Sequence, residues 1–163
     1  MDSWAKSAKD IYQQVVDTLS DALMQNDFAP FSGLVAFPHI MQTLSTTIVM
    51  ADQTELRVCF DSFALTLKAQ SVTDYIRVVD FADFTSDDRI VGQHTSYILR
   101  RCHHIVQPYP NRLTLDRGNG IWRVSRAVNA ITNVTWPIFL PVVQDHPKLP
   151  AIDSSSEGNH AEN

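Results

Sequence analysis

The feature that most constrains this chain is a change of hydrophobic period near residue 73. Before it, apolar residues recur every three to four positions, as on one face of a helix; after it they alternate, as on a strand. Helices first and then a run of hairpin-linked strands is an α+β pattern, with the helices packed on one face of an antiparallel sheet. With 163 residues there is material for one sizeable core and too little for two. We expect a single domain over residues 1–144. The polar, proline-punctuated stretch 145–163 reads as a tail that cannot bury enough surface to offset its ordering entropy.

Within the helical half, Trp4, Ala8, Ile11, Val15, Leu19 and Ala22 share a face, with Asp10, Gln14, Asp17 and Asp21 opposite them. Asn26-Asp27 should stop this helix, because short polar side chains compete for backbone hydrogen bonds and suit caps. A second, short helix is expected with Asp27 as cap, Phe28, Phe31, Leu34 and Val35 inward, and Pro38 at its end. Thr46 to Met50 is β-branched and short, a strand. Asp52 and Glu55 have capping-box spacing before Leu56, Phe60, Phe63, Ala64 and Leu67, a third helix ending near Gln70. Strands are expected over 75–84, 89–101, 112–116 and 121–131. Thr85 to Asp88 would make one turn, Pro108 and Pro110 a loop, and Gly118-Asn119-Gly120 a tight connection.

Thirteen Lys+Arg against 18 Asp+Glu give a net charge of −5. Without a basic cluster there is no electrostatic footprint for nucleic acid. No apolar run reaches the roughly 20 residues of a membrane span, and the N-terminus lacks a signal-peptide pattern. Cys59 and Cys102 do not make a disulfide framework. A cytoplasmic, reduced setting is expected, in which the sequon Asn133-Val134-Thr135 stays idle.

The stretch Arg112-Leu113-Thr114-Leu115-Asp116-Arg117-Gly118-Asn119-Gly120-Ile121-Trp122-Arg123-Val124 resembles the penultimate hairpin of the nuclear transport factor two-like superfamily, particularly its SnoaL-like branch. The long first helix ending in Asn26-Asp27-Phe28 and the capped helix at 52–70 support the likeness, which covers about residues 5–132. It implies a cone, a strongly curved antiparallel sheet wrapped around N-terminal helices, with a hydrophobic pocket at the wide end. It also implies a homodimer paired through the outer sheet face. Members that are isomerases, cyclases or dehydratases act on small, largely apolar molecules; others only bind or assemble. The segment Phe37 to Thr43, where the ketosteroid isomerases carry a general-base aspartate, has no carboxylate here. Tyr12 lies about two turns too early to match their first-helix tyrosine. His94 matches the SnoaL histidine, without an aspartate on the last strand to accompany it.

Two histidines are therefore the acid/base candidates: His94 in mid-strand and His39 in the expected loop after Pro38. For each, the alternative is a histidine satisfied within the fold. Strand alternation puts His94 with Gly92, Ser96 and Ile98 on one face and Tyr97 on the other, and leaves open which face lines the cone, so Tyr97 stays a ligand-binding candidate. Trp122, Val124, Arg126 and Val128 should share an inward face. Arg126 would then need a carboxylate, such as Asp80, or an anionic ligand; a solvated Arg126 is the other reading. Cys102-His103-His104 does not make a metal site, and the phenylalanines at 28, 31, 60 and 63 read as core. No metal or cofactor is expected; the expected ligand is a small apolar molecule.

Overall fold

The structure, a computed structural model, describes residues 5–130. Trp4, the sequon, residue 131 of the last expected strand and the expected tail lie outside the described residues.

Three helices precede or interrupt the strands. Helix α1, Ala8–Gln25, starts at Ser7, whose Oγ accepts from the Asp10 amide at 3.1 Å while the Asp10 carboxylate accepts from the Ser7 amide at 3.4 Å. Asp10, expected merely to be solvated, thus closes a capping box. The helix ends at Asn26 in the left-handed region, φ 54°, one of the few conformations where asparagine outperforms other side chains. Helix α2 is only Phe28–Ser32. Its phenylalanines pack on Phe60, with ring centroids 5.3 Å away for Phe28 and 5.0 Å for Phe31. Helix α3, Gln53–Ala69, is capped by Asp52, which accepts from the Glu55 amide at 3.0 Å; the Glu55 carboxylate accepts from the Ala51 amide at 2.6 Å.

The strands are β1 Val35–Gln42, β2 Thr47–Met50, β3 Asp74–Ser86, β4 Arg89–Arg100, β5 His103–His104, β6 Tyr109–Gly118 and β7 Ile121–Asn129. They form one sheet ordered β2-β1-β7-β6-β4-β3, with β5 attached to β4. All pairs are antiparallel except β1 with β7, which is parallel. The sheet is therefore mixed, where antiparallel pairing throughout was expected. The reason is β1: the segment read as the end of a second helix is a strand that joins the far side of β7. Pro38, expected to terminate a helix, instead sits within β1, where its missing N–H is tolerated because the ladder to β7 is interrupted between Val35 and Ile40.

Asn119 and Gly120, φ 52° and 77°, form the two-residue connection of β6 to β7, matching the right-handed strand twist. Helix α1 packs across the inner face of the sheet. Tyr12, Val16 and Leu19 join Ile90, Leu113, Leu115 and Val124 in the main core, and α3 closes a second cluster with Leu23, Phe60, Phe63, Leu67, Ile98 and Tyr109. Gln13 of α1 also covers backbone of the sheet's edge strand: its Nε2 donates to the Arg77 carbonyl at 2.7 Å and its Oε1 accepts from the Val79 amide at 2.9 Å. This side-chain clamp holds β3 where Arg77 turns inward.

Candidate functional site

The helices do not fill the space under the sheet. A cavity of about 100 Å³ remains, walled on the helix side by Leu19, Leu23, Phe31, Leu56, Cys59, Phe60 and Phe63. On the sheet side the lining includes His39, Tyr75, Arg77, His94, Tyr109, Asn111 and Asn129. Among the described residues, no aspartate or glutamate lines it.

The polar wall follows from strand register. His94 on β4 stands opposite Asn111 on β6, which stands opposite Asn129 on β7. One row along, Arg77 on β3 faces Ser96 on β4, and Ser96 faces Tyr109 on β6. All are inward positions of their strands, so alternation brings six polar side chains to one surface. They bond among themselves in sequence. The Ser96 hydroxyl donates to Asn111 Oδ1 at 2.5 Å, the Asn111 amide donates to Asn129 Oδ1 at 2.5 Å, and the Asn129 amide donates to Met41 Sδ at 2.7 Å.

His94 is held from behind by α1. The Tyr12 hydroxyl lies 2.7 Å from His94 Nδ1, and both side chains are fully enclosed. Burial holds the Tyr12 phenol well above the usual tyrosine range, so it keeps its proton. With Nδ1 as the acceptor of that proton, the imidazole hydrogen is on Nε2, the tautomer assigned to His94. Burial, with a smaller push from the Arg77 charge, lowers the His94 pKa well below the ordinary imidazole value. His94 is thus a neutral hydrogen-bond donor at its free nitrogen. Gly92, two residues earlier on the same face, makes this possible: a Cβ there would lie 2.6 Å from Tyr12 Cε2.

His39 is not in a loop. It lies on β1, buried, in the stretch where the β1–β7 ladder is interrupted, and Nδ1 donates to the Val124 carbonyl at 3.2 Å. The side chain thereby serves a carbonyl in the stretch where the β1–β7 ladder is interrupted. A protonated Nδ1 in a neutral ring leaves Nε2 with a lone pair. Burial lowers this pKa from 6.5 to about 4, against a smaller raising effect of the Val124 bond.

The remaining sequence candidates lie elsewhere. Tyr97 points to the outer sheet face, its ring 6.2 Å from that of His104; the inward face of β4 is the one bearing His94. Trp122 packs at the hairpin end against Phe84, 6.0 Å between centroids, under the Arg117 guanidinium. Arg126 was expected on the inward face with Val124. The register shifts between Thr114 and Leu115 and inserts Ser125, so Val124 and Ala127 face inward while Arg126 pairs with outward Thr114. Its Nη2 donates to Gln42 Oε1 at 3.0 Å, and Asp80, on β3 with β6 and β4 between it and β7, accepts from the Thr95 hydroxyl instead. None of these three lines the cavity. Sequence reasoning in turn missed Tyr109 and Asn111, because prolines at 108 and 110 read as a loop, although Tyr109, Asn111, Leu113 and Leu115 alternate perfectly. It also discounted Tyr12, which falls on the apolar stripe of α1, three residues before Val15. Among the described residues, no group of three or more His, Cys, Asp or Glu is placed to hold a metal.

No protein-family model matches the chain, and no curated protein matches it either. Solved structures do. A domain of unknown function with a cystatin-like fold from Nostoc punctiforme superposes with a TM-score of 0.61 at 12% identity, covering 77% of this chain and 78% of that one. An NTF2-like protein with a cystatin-like fold from Novosphingobium aromaticivorans gives 0.58 at 14% identity, covering 79% and 84%. An NTF-2 like protein of unknown function from Shewanella oneidensis gives 0.54 at 9% identity, covering 72% and 94%. Helices packed inside a curved mixed sheet, with a cavity between them, are the nuclear transport factor two-like (NTF2-like), cystatin-like fold.

Proposed function

We propose that this chain is a SnoaL-like binding protein whose cavity takes a small ligand, with His39 as the residue able to move a proton on it. The observation that carries the reading is the cavity itself: helix walls that are apolar, a sheet wall bearing two buried neutral imidazoles, and enclosure on both sides. Its volume of about 100 Å³ suits a compact molecule, since an engineered cavity of about 150 Å³ admits benzene. Between the histidines, the one with an unprotonated Nε2 is the base. His94 has its lone pair engaged by Tyr12 and can only donate. A base with a pKa of about 4 is weak, so His39 suits abstraction of an already acidic proton, in the isomerase, cyclase or dehydratase manner, and not of an unactivated one.

The reading is tested with benzene as probe, followed by the methyl NMR signals of Met41 and Met50, which line the cavity. Saturable shifts that disappear when Ala127→Phe fills the space support it; no shift at either methionine refutes it. For His39, ring ¹⁵N shifts should report an unprotonated Nε2 from pH 7.5 down to 5.5, and a proton on that nitrogen would remove it as a base.

A second reading, a non-catalytic module that associates through its sheet, rests on a different observation. Ile76, Val78 and Phe81 are exposed along the outer face of β3, next to Tyr97 and Val91 of β4. Isolated exposed apolar residues are ordinary, whereas a contiguous patch marks association. We propose that two copies pair through this face, in a reducing compartment that keeps Cys59 and Cys102 as free thiols.

A further inference from the structure

We infer that the cavity selects a ligand bearing a carboxylate on a compact apolar body, with Arg77 as its counter-charge. This rests on the ligand-binding reading above and adds the chemical class.

Arg77 differs from the arginines of the surface. Arg57, Arg89 and Arg117 each reach a carboxylate, Asp61, Asp116 and Asp88 respectively, at 2.7 to 3.1 Å. Arg77 is drawn inward by the register of β3, lines the cavity, and makes no ion pair with any described residue. Its Nε is buried without a hydrogen-bond partner among the described residues. The guanidinium carbon lies 4.5 Å from the centre of the Tyr75 ring, which supports the plane of the fork and leaves its N–H edge to another group. Tyr75 is itself stacked on Phe63, 5.8 Å between centroids, so the support is anchored to α3.

A half-buried guanidinium whose enclosed Nε has no acceptor is unfavourable unless something supplies one. The described residues do not, because none of their carboxylates lines the cavity. A planar group with two oxygens does, through paired N–H···O bonds. The neighbouring groups agree in sign: the N–H of His94 is a donor, and the Tyr109 hydroxyl, hydrogen-bonded to Tyr75 and Ser96, keeps its proton because burial raises its pKa. The positive charge of Arg77 is already felt at His94. A phosphate would ask for more. Its additional oxygens and charge call for further cations or a cradle of backbone amides, and the cavity offers one arginine among leucines and phenylalanines. One charge, two oxygens and an apolar remainder describe a small carboxylate.

The test uses benzoate and its neutral counterpart benzamide, titrated calorimetrically into the full chain at pH 7.5 and constant ionic strength. Benzoate should bind at least tenfold more tightly than benzamide. Arg77→Met should weaken benzoate by that factor, leave benzamide unchanged, and lower Tm by no more than the loss of one cation–π contact with Tyr75 accounts for, because the charge it removes has no ion-pair partner among the described residues. Benzamide binding as tightly as benzoate, or a preference for benzoate that survives in Arg77→Met, would overturn the inference while leaving the cavity reading intact. Binding of neither probe would overturn both. If Arg77→Met does not fold, the ratio of the two affinities in the unmodified chain decides alone.

Discussion

Gly92→Ala adds one methyl group to an inward position of β4, and the structure says what that methyl meets. It would lie 2.6 and 2.7 Å from two carbons of the Tyr12 ring and 2.9 Å from the Ala82 Cβ. Elsewhere in a strand, alanine would be better than glycine by about 0.5–1 kcal/mol. Here the ring must move, and it has nowhere open to go, since Tyr12 is completely buried. Forcing a methyl into a filled core costs about 1–3 kcal/mol. A displaced Tyr12 also loses its bond to His94 Nδ1 and strands two buried polar atoms, a further 1–3 kcal/mol or so. Allowing for the strand preference, the net loss is about 3 kcal/mol, a fall in Tm of about 12 °C at about 4 °C per kcal/mol for a domain of this size.

A double-mutant cycle isolates the cause. In a Tyr12→Leu background the ring and its hydroxyl are gone, and only the Ala82 contact opposes the new methyl. Gly92→Ala should then cost about 1 kcal/mol or less, giving a coupling of about 2 kcal/mol between the two sites. Urea unfolding followed by far-UV circular dichroism measures all four proteins, with an unchanged m-value as the check that the unfolding transition stays the same. Additive effects, within about 0.5 kcal/mol, would show that Gly92 does not exist to admit the Tyr12 ring, and the account of how His94 is held would fail with it.

Two more outcomes follow from the same geometry. His39 has a folded-state pKa of about 4 against an ordinary 6.5, so above pH 6.5 its contribution is complete, and as pH falls towards 4 the unfolded chain takes up a proton that the native one refuses. His39 alone should remove about 3 kcal/mol across that window, with His94 steepening the loss, and His39→Gln should flatten it; urea midpoints that stay level from pH 7 to 5 would contradict this. On the outer sheet face, Ile76→Lys with Val78→Lys should convert a dimer into a monomer in light scattering at micromolar concentration without lowering Tm, and a parent chain that is already monomeric there would dismiss the interface.

What could be read from the sequence was what neighbouring residues determine between them. Asp52 with Glu55, Asn26 after a helical stripe, and Asn119-Gly120 between alternating runs each specify a cap or turn within four residues, and each is where it was expected. The site was harder, because its position depends on breaks in local rules. Pro38 and Pro110 read as terminators, yet both sit inside strands, and the residues beside them, His39, Tyr109 and Asn111, are the ones that reach the cavity. The inserted Ser125 reversed the faces of β7 beyond it, sending Arg126 outward by a one-residue shift that no composition reveals. Arg77 is one of the charges interspersed in an alternating strand, and nothing in its neighbours sets it apart. Only the sheet's curvature, which depends on all the strands together, turns its face into the wall of a cavity.

The distribution of hydrogen-bonding capacity over that wall limits what chemistry the cavity can host. Most of the polar groups are engaged with one another: Tyr12 with His94, Ser96 with Asn111, Asn111 with Asn129, Asn129 with Met41, and one nitrogen of His39 with the Val124 carbonyl. What remains is directional. Donors, on Arg77 and His94, come from β3 and β4; among the described lining residues, the free imidazole lone pair, on His39, comes from β1. Between β4 and β1 lie β6 and β7, three strand spacings, or about 14 Å measured along the sheet. The two histidines therefore stand at opposite ends of the wall and do not form an acid–base pair acting on a single atom. Arg77 on β3 is farther still, four strand spacings from β1, so under the proposed reading the anchoring of a carboxylate and the removal of a proton fall at opposite ends of the wall, and only a ligand long enough to cross it would meet both.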